Sequence, residues 1–371
     1  MRHKEIESIQ QFNDNYSKSN EFNSFAFQNI DFTLIEEKLA GAKFDDCLFL
    51  GCKIPEYALS NLQSDNYIFP QLDVPYNCYP AQLYSSETLY ASYKIGVTES
   101  YKQTFDYKVY KHYLKTGKEA FSINETLARR IHDHAITDAM YDFIAAYEEK
   151  KVVAVMGGHA LDRTGEAYKT IALLSKILSE RGYLMVTGGG PGAMEAAHLG
   201  AWFAESAENE LNDAFKMLST APTYKHKEWL DSAFKVIKKY PRKHNFESLG
   251  IPTWLYGHEP ATPFATMIAK YFANSVREDG LLTIAKGGVI FSPGSAGTVQ
   301  EVFQDATQNH YLSFGYASPM IFLGKEFWLK DLPVYAFLEQ SVASGKYNNL
   351  LLSATDEICE IVKTLEDFSN K

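Results

Sequence analysis

From residue 151 onward the chain alternates short, largely apolar runs with longer stretches in which apolar residues return every three or four positions. The runs at 152–156, 183–186, 215–219, 251–256, 288–291, 320–323 and 350–352 read as buried strands. The periodic stretches at 168–178, 193–204, 229–240, 264–277, 299–308, 334–342 and 356–368 read as helices, the one at 229–240 with a lysine-rich outer face. Strict alternation of the two predicts an α/β domain over 151–371, a doubly wound parallel sheet that binds ligands at the carboxyl ends of its strands.

The first 150 residues have no such rhythm. Tyr, Phe, Asn and Ser are abundant, and prolines at 55, 70, 75 and 80 break any long helix. Phe27 and Phe32, and again Phe44 and Phe49, stand five apart, a spacing similar to that of pentapeptide-repeat coils, although two instances do not define one. Residues 1–121 read as an accessory region of unknown role. From Ser122 a capping-box pattern, Ser122-Ile123-Asn124-Glu125, opens a helical stretch that joins this region to the sheet domain over 122–150. His132 and His134 lie two apart on it, point in different directions, and read as surface residues.

Three predicted strands end in glycine-rich turns on one rim: Gly157-Gly158, then Gly188-Gly189-Gly190-Pro191-Gly192, then Pro293-Gly294-Ser295-Ala296-Gly297-Thr298. Small residues let backbone N–H groups and a helix N-terminus converge on an anion, so the third turn predicts a phosphate site. Glu301 follows about one helical turn later. The net charge of -10 argues against a nucleic-acid backbone as partner, whereas a small anion can still bind such a turn. Cys47, Cys52, Cys78 and Cys359 form no Cys-x-x-Cys pair and read as reduced thiols, with no metal site. No apolar stretch reaches membrane length and the polar N-terminus has no signal core, so a cytoplasmic protein without a membrane partner is expected.

The first turn, Gly157-Gly158-His159-Ala160-Leu161-Asp162, lacks the G-x-G-x-x-G spacing of dinucleotide folds, and the second strand ends in Thr187 rather than an acid. No Gly-Lys-Ser/Thr follows any turn, which removes the P-loop. No lysine stands in a recognisable aldimine motif, so an amino-acid decarboxylase is disfavoured as well. A monophosphate fits better.

Gly157-Gly158, Thr187-Gly188-Gly189-Gly190-Pro191-Gly192-Ala193-Met194-Glu195 and Pro293-Gly294-Ser295-Ala296-Gly297-Thr298-Val299-Gln300-Glu301 together resemble the Lonely-Guy family of nucleoside 5′-monophosphate phosphoribohydrolases. The larger bacterial nucleotide nucleosidases of that kind, with a GGGPGAME turn, are the nearer analogue. The likeness runs over roughly 151–371 and implies a Rossmann-like fold, no cofactor, and a homodimer or larger homo-oligomer. It implies Arg277 and Glu301 as catalytic residues and Gly294, Ser295, Ala296, Gly297 and Thr298 as the phosphate turn. Gly157, Gly158, Gly188, Gly189, Gly190, Gly192 and Met194 would contact the nucleotide, with His159 and His258 as candidate base-side contacts. Ser295 stands where the family has a second glycine, and Gln300 where many members have Glu, so Glu301 is left as the one carboxylate of that turn. Arg277 would pair with phosphate, with Glu301, or in a surface salt bridge with Glu278 or Asp279. The expected activity is hydrolysis of the N-glycosidic bond of nucleoside monophosphates; the alternative is a non-catalytic nucleotide sensor using the same pocket.

Overall fold

The computed structural model describes residues 3–62, 65–242 and 245–371. The chain forms two compact units, one of residues 1–83 and 111–143, the other of 84–110 and 144–371.

In the first unit, β1 (Lys4–Ile6), α1 (Ile9–Tyr16), β2 (Glu21–Asn23), β3 (Phe25–Gln28), α2 (Glu36–Gly41), β4 (Lys43–Asp45), β5 (Leu48–Leu50), α3 (Glu56–Leu62) and β6 (Tyr67–Phe69) form a parallel coil. One wall is the sheet β1-β3-β5-β6 and another the pair β2-β4. Parallel in-register pairing sets Phe22 beside Phe44 and Phe27 beside Phe49, with ring centroids 5.4 and 5.1 Å apart. The faint five-residue spacing thus becomes a buried stack, because successive turns of a coil place equivalent side chains over one another. Helix α5 (Phe105–Thr116) crosses the division between the units, and α6 (Ile123–Ile144) starts where expected, its Glu125 N–H donating to Ser122 Oγ at 3.1 Å. The Glu125 side chain does not complete the capping box. It accepts from His112 and Arg129 instead. His132 is fully buried, not a surface residue, because α6 turns that side to the Tyr76 ring; His134 is exposed.

The second unit carries a seven-stranded, all-parallel sheet in the order β10-β9-β8-β7-β11-β12-β13. Its strands are β7 (Val152–Met156), β8 (Leu184–Thr187), β9 (Ser248–Gly250), β10 (Met267–Ile268), β11 (Gly288–Phe291), β12 (Pro319–Leu323) and β13 (Leu351–Thr355). The helices are α7 (Glu166–Glu180), α8 (Ala193–Trp202), α9 (Glu208–Leu218), α10 (Trp229–Lys239), α11 (Asn274–Ile284), α12 (Ala296–His310), α13 (Val334–Ala343) and α14 (Ile358–Ser369). From β7 the chain builds outward through β8, β9 and β10, then returns to lay β11 on the other side of β7 and continues to β13. With right-handed crossovers that reversal covers both faces, giving the Rossmann-like, doubly wound fold.

Three predicted elements are corrected. Residues 215–219 end α9 rather than forming a strand, and α9 keeps Leu211, Phe215 and Leu218 on one buried face. The strand placed at 251–256 lies earlier, as β9, while Trp254–Tyr256 make a 3-10 turn. The helix placed at 264–277 is instead the short β10 followed by α11, which starts only at Asn274. Apolar and polar residues mix in both regions, so period alone did not separate strand from helix. The partition at 121 and 150 is redrawn too, since residues 84–110 belong with the sheet. Tyr84 pairs antiparallel with Ile268, Tyr90 OH donates to Ala261 O at 2.7 Å, and Asp106 forms a fully buried ion pair with Lys270.

Candidate functional site

The reversal of strand order leaves a crevice between the carboxyl ends of β7 and β11, and a cleft of about 290 Å³ lies there. All three glycine-rich turns reach it. Gly157, Gly158, Gly188, Gly190, Met194, Arg277, Ser295, Gly297, Thr298 and Glu301 line the cleft, whereas Gly189, Gly192, Gly294 and Ala296 do not. His159 lines it as well; His258 does not, and flanks Glu259 with Nε2 3.7 Å from the carboxylate. Glu278, Glu259, Tyr256 and Thr253 are further lining residues that the motifs did not mark.

Hydrogen bonds tie the turns together at Gly158. Its N–H donates to Pro293 O at 3.1 Å, and its carbonyl accepts from Ala193 N at 3.2 Å. Gly192 has φ +72°, and a Cβ there would lie 2.7 Å from His159 O, so close approach of two turns requires glycine. At Gly188 a Cβ would lie 2.8 Å from Met194 Sδ and 3.3 Å from Arg277 Nη1, so the bare backbone leaves room for the guanidinium. Behind the second turn, buried His198 bridges Thr187 Oγ1 and Ser248 Oγ, each at 2.8 Å, joining the ends of β8 and β9. Burial pushes its imidazole down to about 3, so it stays neutral and structural. Glu195, the last residue of the second motif, takes no part in the cleft. It is fully buried against Arg163, receiving Nε at 2.8 Å and Nη2 at 2.5 Å.

The third turn opens α12. Ser295 is its N-cap with φ −108° and ψ −154°, extended backbone that any L residue adopts, so serine replaces glycine without strain. No side chain caps the helix there, which leaves the first-turn N–H groups of Ala296, Gly297 and Thr298 without an intrahelical acceptor. Gly297 and Thr298 bring that end of the helix, and its positive dipole, to the cleft.

Glu301 sits about a turn deeper on the same helix. Burial pushes its carboxyl up to about 7; nearby Arg277 pulls it down and Glu278 pushes it further up. Among the described residues none donates a hydrogen bond to it. Arg277, on α11, is nine-tenths buried and gives Nη2 to Asn274 Oδ1 at 3.1 Å and to Glu278 Oε1 at 3.3 Å. The Glu278 salt bridge expected from sequence therefore exists, but at the wall of the cleft. The four cysteines are unpaired. Among the described residues the acidic cluster that could hold a cation, Glu5, Glu7 and Asp142, lies in the first unit. No helix among them is long and apolar enough to cross a membrane.

Fold and cleft together define a Rossmann-like α/β protein whose cleft lies at the strand-order switch point. No protein-family model matches the chain, and no curated protein does. Solved structures similar to it include a molybdenum cofactor binding protein from the phototrophic bacterium Rippkaea orientalis, at 16% identity and a TM-score of 0.34, covering 58% of this chain and 95% of that one. Two structures of the molybdenum cofactor carrier protein of Chlamydomonas reinhardtii, also at 16% identity, give TM-scores of 0.35 and 0.36. Each covers 59% of this chain and 98% or 99% of its own. At those scores the likeness informs neither ligand nor activity.

Proposed function

We propose that the cleft hydrolyses the N-glycosidic bond of nucleoside 5′-monophosphates, yielding free base and ribose 5-phosphate. The observation that carries this is Glu301, an unbonded cleft carboxyl with its proton affinity near neutrality, placed just beyond a helix N-terminus with free N–H groups. A monophosphate at the Ser295–Thr298 turn accepts those N–H groups and faces the helix dipole. The ribose then extends toward Glu301. At about 290 Å³ the cleft suits one small ligand rather than a dinucleotide.

Breaking the bond sends its electron pair to the base nitrogen, which takes up a proton, and leaves oxocarbenium character at C1′. The ionised Glu301 carboxylate stabilises that charge and accepts a proton from the water whose oxygen bonds to C1′. Arg277 binds phosphate oxygens or steadies Glu301 as the charge develops. Because the ionised acid is the working form, turnover rises with pH through about 7.

The test is to incubate the purified chain with AMP, GMP and CMP and to measure free base and ribose 5-phosphate. Release of base from at least one of them is expected. Binding of all three without release would make the cleft a sensor, and absence of both would remove the nucleotide reading.

A further inference from the structure

Helix α12 presents Gln300, Gln304 and Gln308, four residues apart, to α11. Gln300 Nε2 donates to Glu278 Oε2 at 3.2 Å, Gln304 Nε2 to Asp279 Oδ1 at 3.2 Å, and Gln308 Nε2 to Leu282 O at 3.3 Å. This amide ladder fixes the helix that carries Arg277 against the helix that carries Glu301. Its first rung lies at the cleft, because Glu278 lines it.

Glu278 is the most firmly held carboxylate there. Asn274 Nδ2 donates to its Oε1 at 2.6 Å, Arg277 Nη2 reaches the same oxygen at 3.3 Å, and Gln300 takes the other. Glu301, by contrast, is held by none of the described residues. A carboxylate gripped at both oxygens is a poor proton carrier but a well-placed fixed charge. Gln300 is thus the clamp on a second acid, contributed by the neighbouring helix. The residue that seemed to leave the turn with one carboxylate secures another.

We propose that Glu278 is a positioning residue of this cleft: a carboxylate, held by Asn274, Arg277 and Gln300, that places a fixed negative charge in the cleft it shares with Glu301 and adds negative potential where a cationic sugar forms. The proposal deepens the nucleotide reading and rests on it for the identity of the sugar, while the coupling between Glu278 and Glu301 does not depend on substrate. Other charged or titratable groups near Glu301 are Arg277 on α11, His159 after β7, Glu259 at the far lining and Asp305 a turn along its own helix. Of these, Arg277 acts in the opposite sense to Glu278.

The test follows the Glu301 carboxyl directly, by carbon-13 NMR of glutamate-labelled protein, with its resonance assigned by its loss in Glu301→Gln. Removing a like charge lowers the proton affinity of an acid. In Glu278→Gln the Glu301 midpoint is expected to fall by about one pH unit, and the rising limb of base release to move to lower pH with it. In Glu278→Asp, which keeps the charge, the midpoint stays within a few tenths of a unit of the wild type. An unchanged midpoint in Glu278→Gln, or equal shifts in both variants, would overturn the proposal. If the midpoints behave as stated but no nucleotide releases base, the coupling stands and the substrate reading falls.

Discussion

In the smaller unit the carboxyl of Glu125 receives His112 Nε2 at 2.8 Å, Arg129 Nε at 2.8 Å and the Tyr76 hydroxyl at 3.3 Å. In the cleft of the larger unit Glu301 receives no donor among the described residues. Both carboxyls lose water, which by itself raises proton affinity. At Glu125 the hydrogen bonds and charges of His112 and Arg129 outweigh that cost and hold the group below the ordinary carboxylate range. At Glu301 nothing outweighs it. Arg163 and Glu195 show that the contrast is not one between units, for that pair too is buried and closed although it lies in the larger one. Closed networks mark architecture, and an acid left open in a cleft is a candidate for chemistry.

The comparison can be broken most forcefully at Glu301. Glu301→Gln should lower base release by about 10²- to 10⁴-fold while leaving the melting temperature equal to or above that of the wild type, read by calorimetry. Unchanged turnover would remove Glu301 from the chemistry. At the closed end, Glu125→Leu takes the carboxylate from Arg129, which keeps its neutral acceptors Gly117 O, Lys118 O and Thr116 Oγ1, so the protein should lose about 3 kcal/mol of stability in urea. A loss near zero would show that this network is not structural.

Asp305 sharpens the same contrast from a third position. It is fully buried, takes Gln308 Nε2 at 2.7 Å on one oxygen, and has no partner on the other. Burial raises its carboxyl to about 7. The folded state therefore holds a proton between about pH 4 and 7 that the unfolded chain has lost, and stability falls as pH rises across that window. Asp305→Asn should shrink the stability difference between pH 5 and pH 8 by about 2–3 kcal/mol, measured by urea titration at both. The smallest effect is expected at Ser295. Since its backbone is extended, Ser295→Gly should change the apparent affinity for inorganic phosphate by less than about twofold, measured by calorimetric titration.

Much of the sheet was legible because β7, β8, β11 and β12 are short apolar runs that end in glycine or proline turns, a pattern with one cheap solution. The three turns were legible as a common rim for the same reason. The region from 205 to 285 was not, because short runs such as 215–219 and 251–256 fit a strand as well as a helix end or a turn, and packing decides between them. Nor was the coil of the smaller unit, whose phenylalanines become a stack only when strands about 22 residues apart lie side by side.

Residue order by itself determined where backbone can approach a ligand and which acid lies just beyond, since glycine, proline and helical spacing act locally. Tertiary structure decided that Glu195 is sealed by Arg163, that Gln300 holds Glu278, and that Glu301 is left open. Those facts depend on which helix meets which. A carboxyl's protonation is set by the neighbours that replace its water, and sequence spacing does not name them.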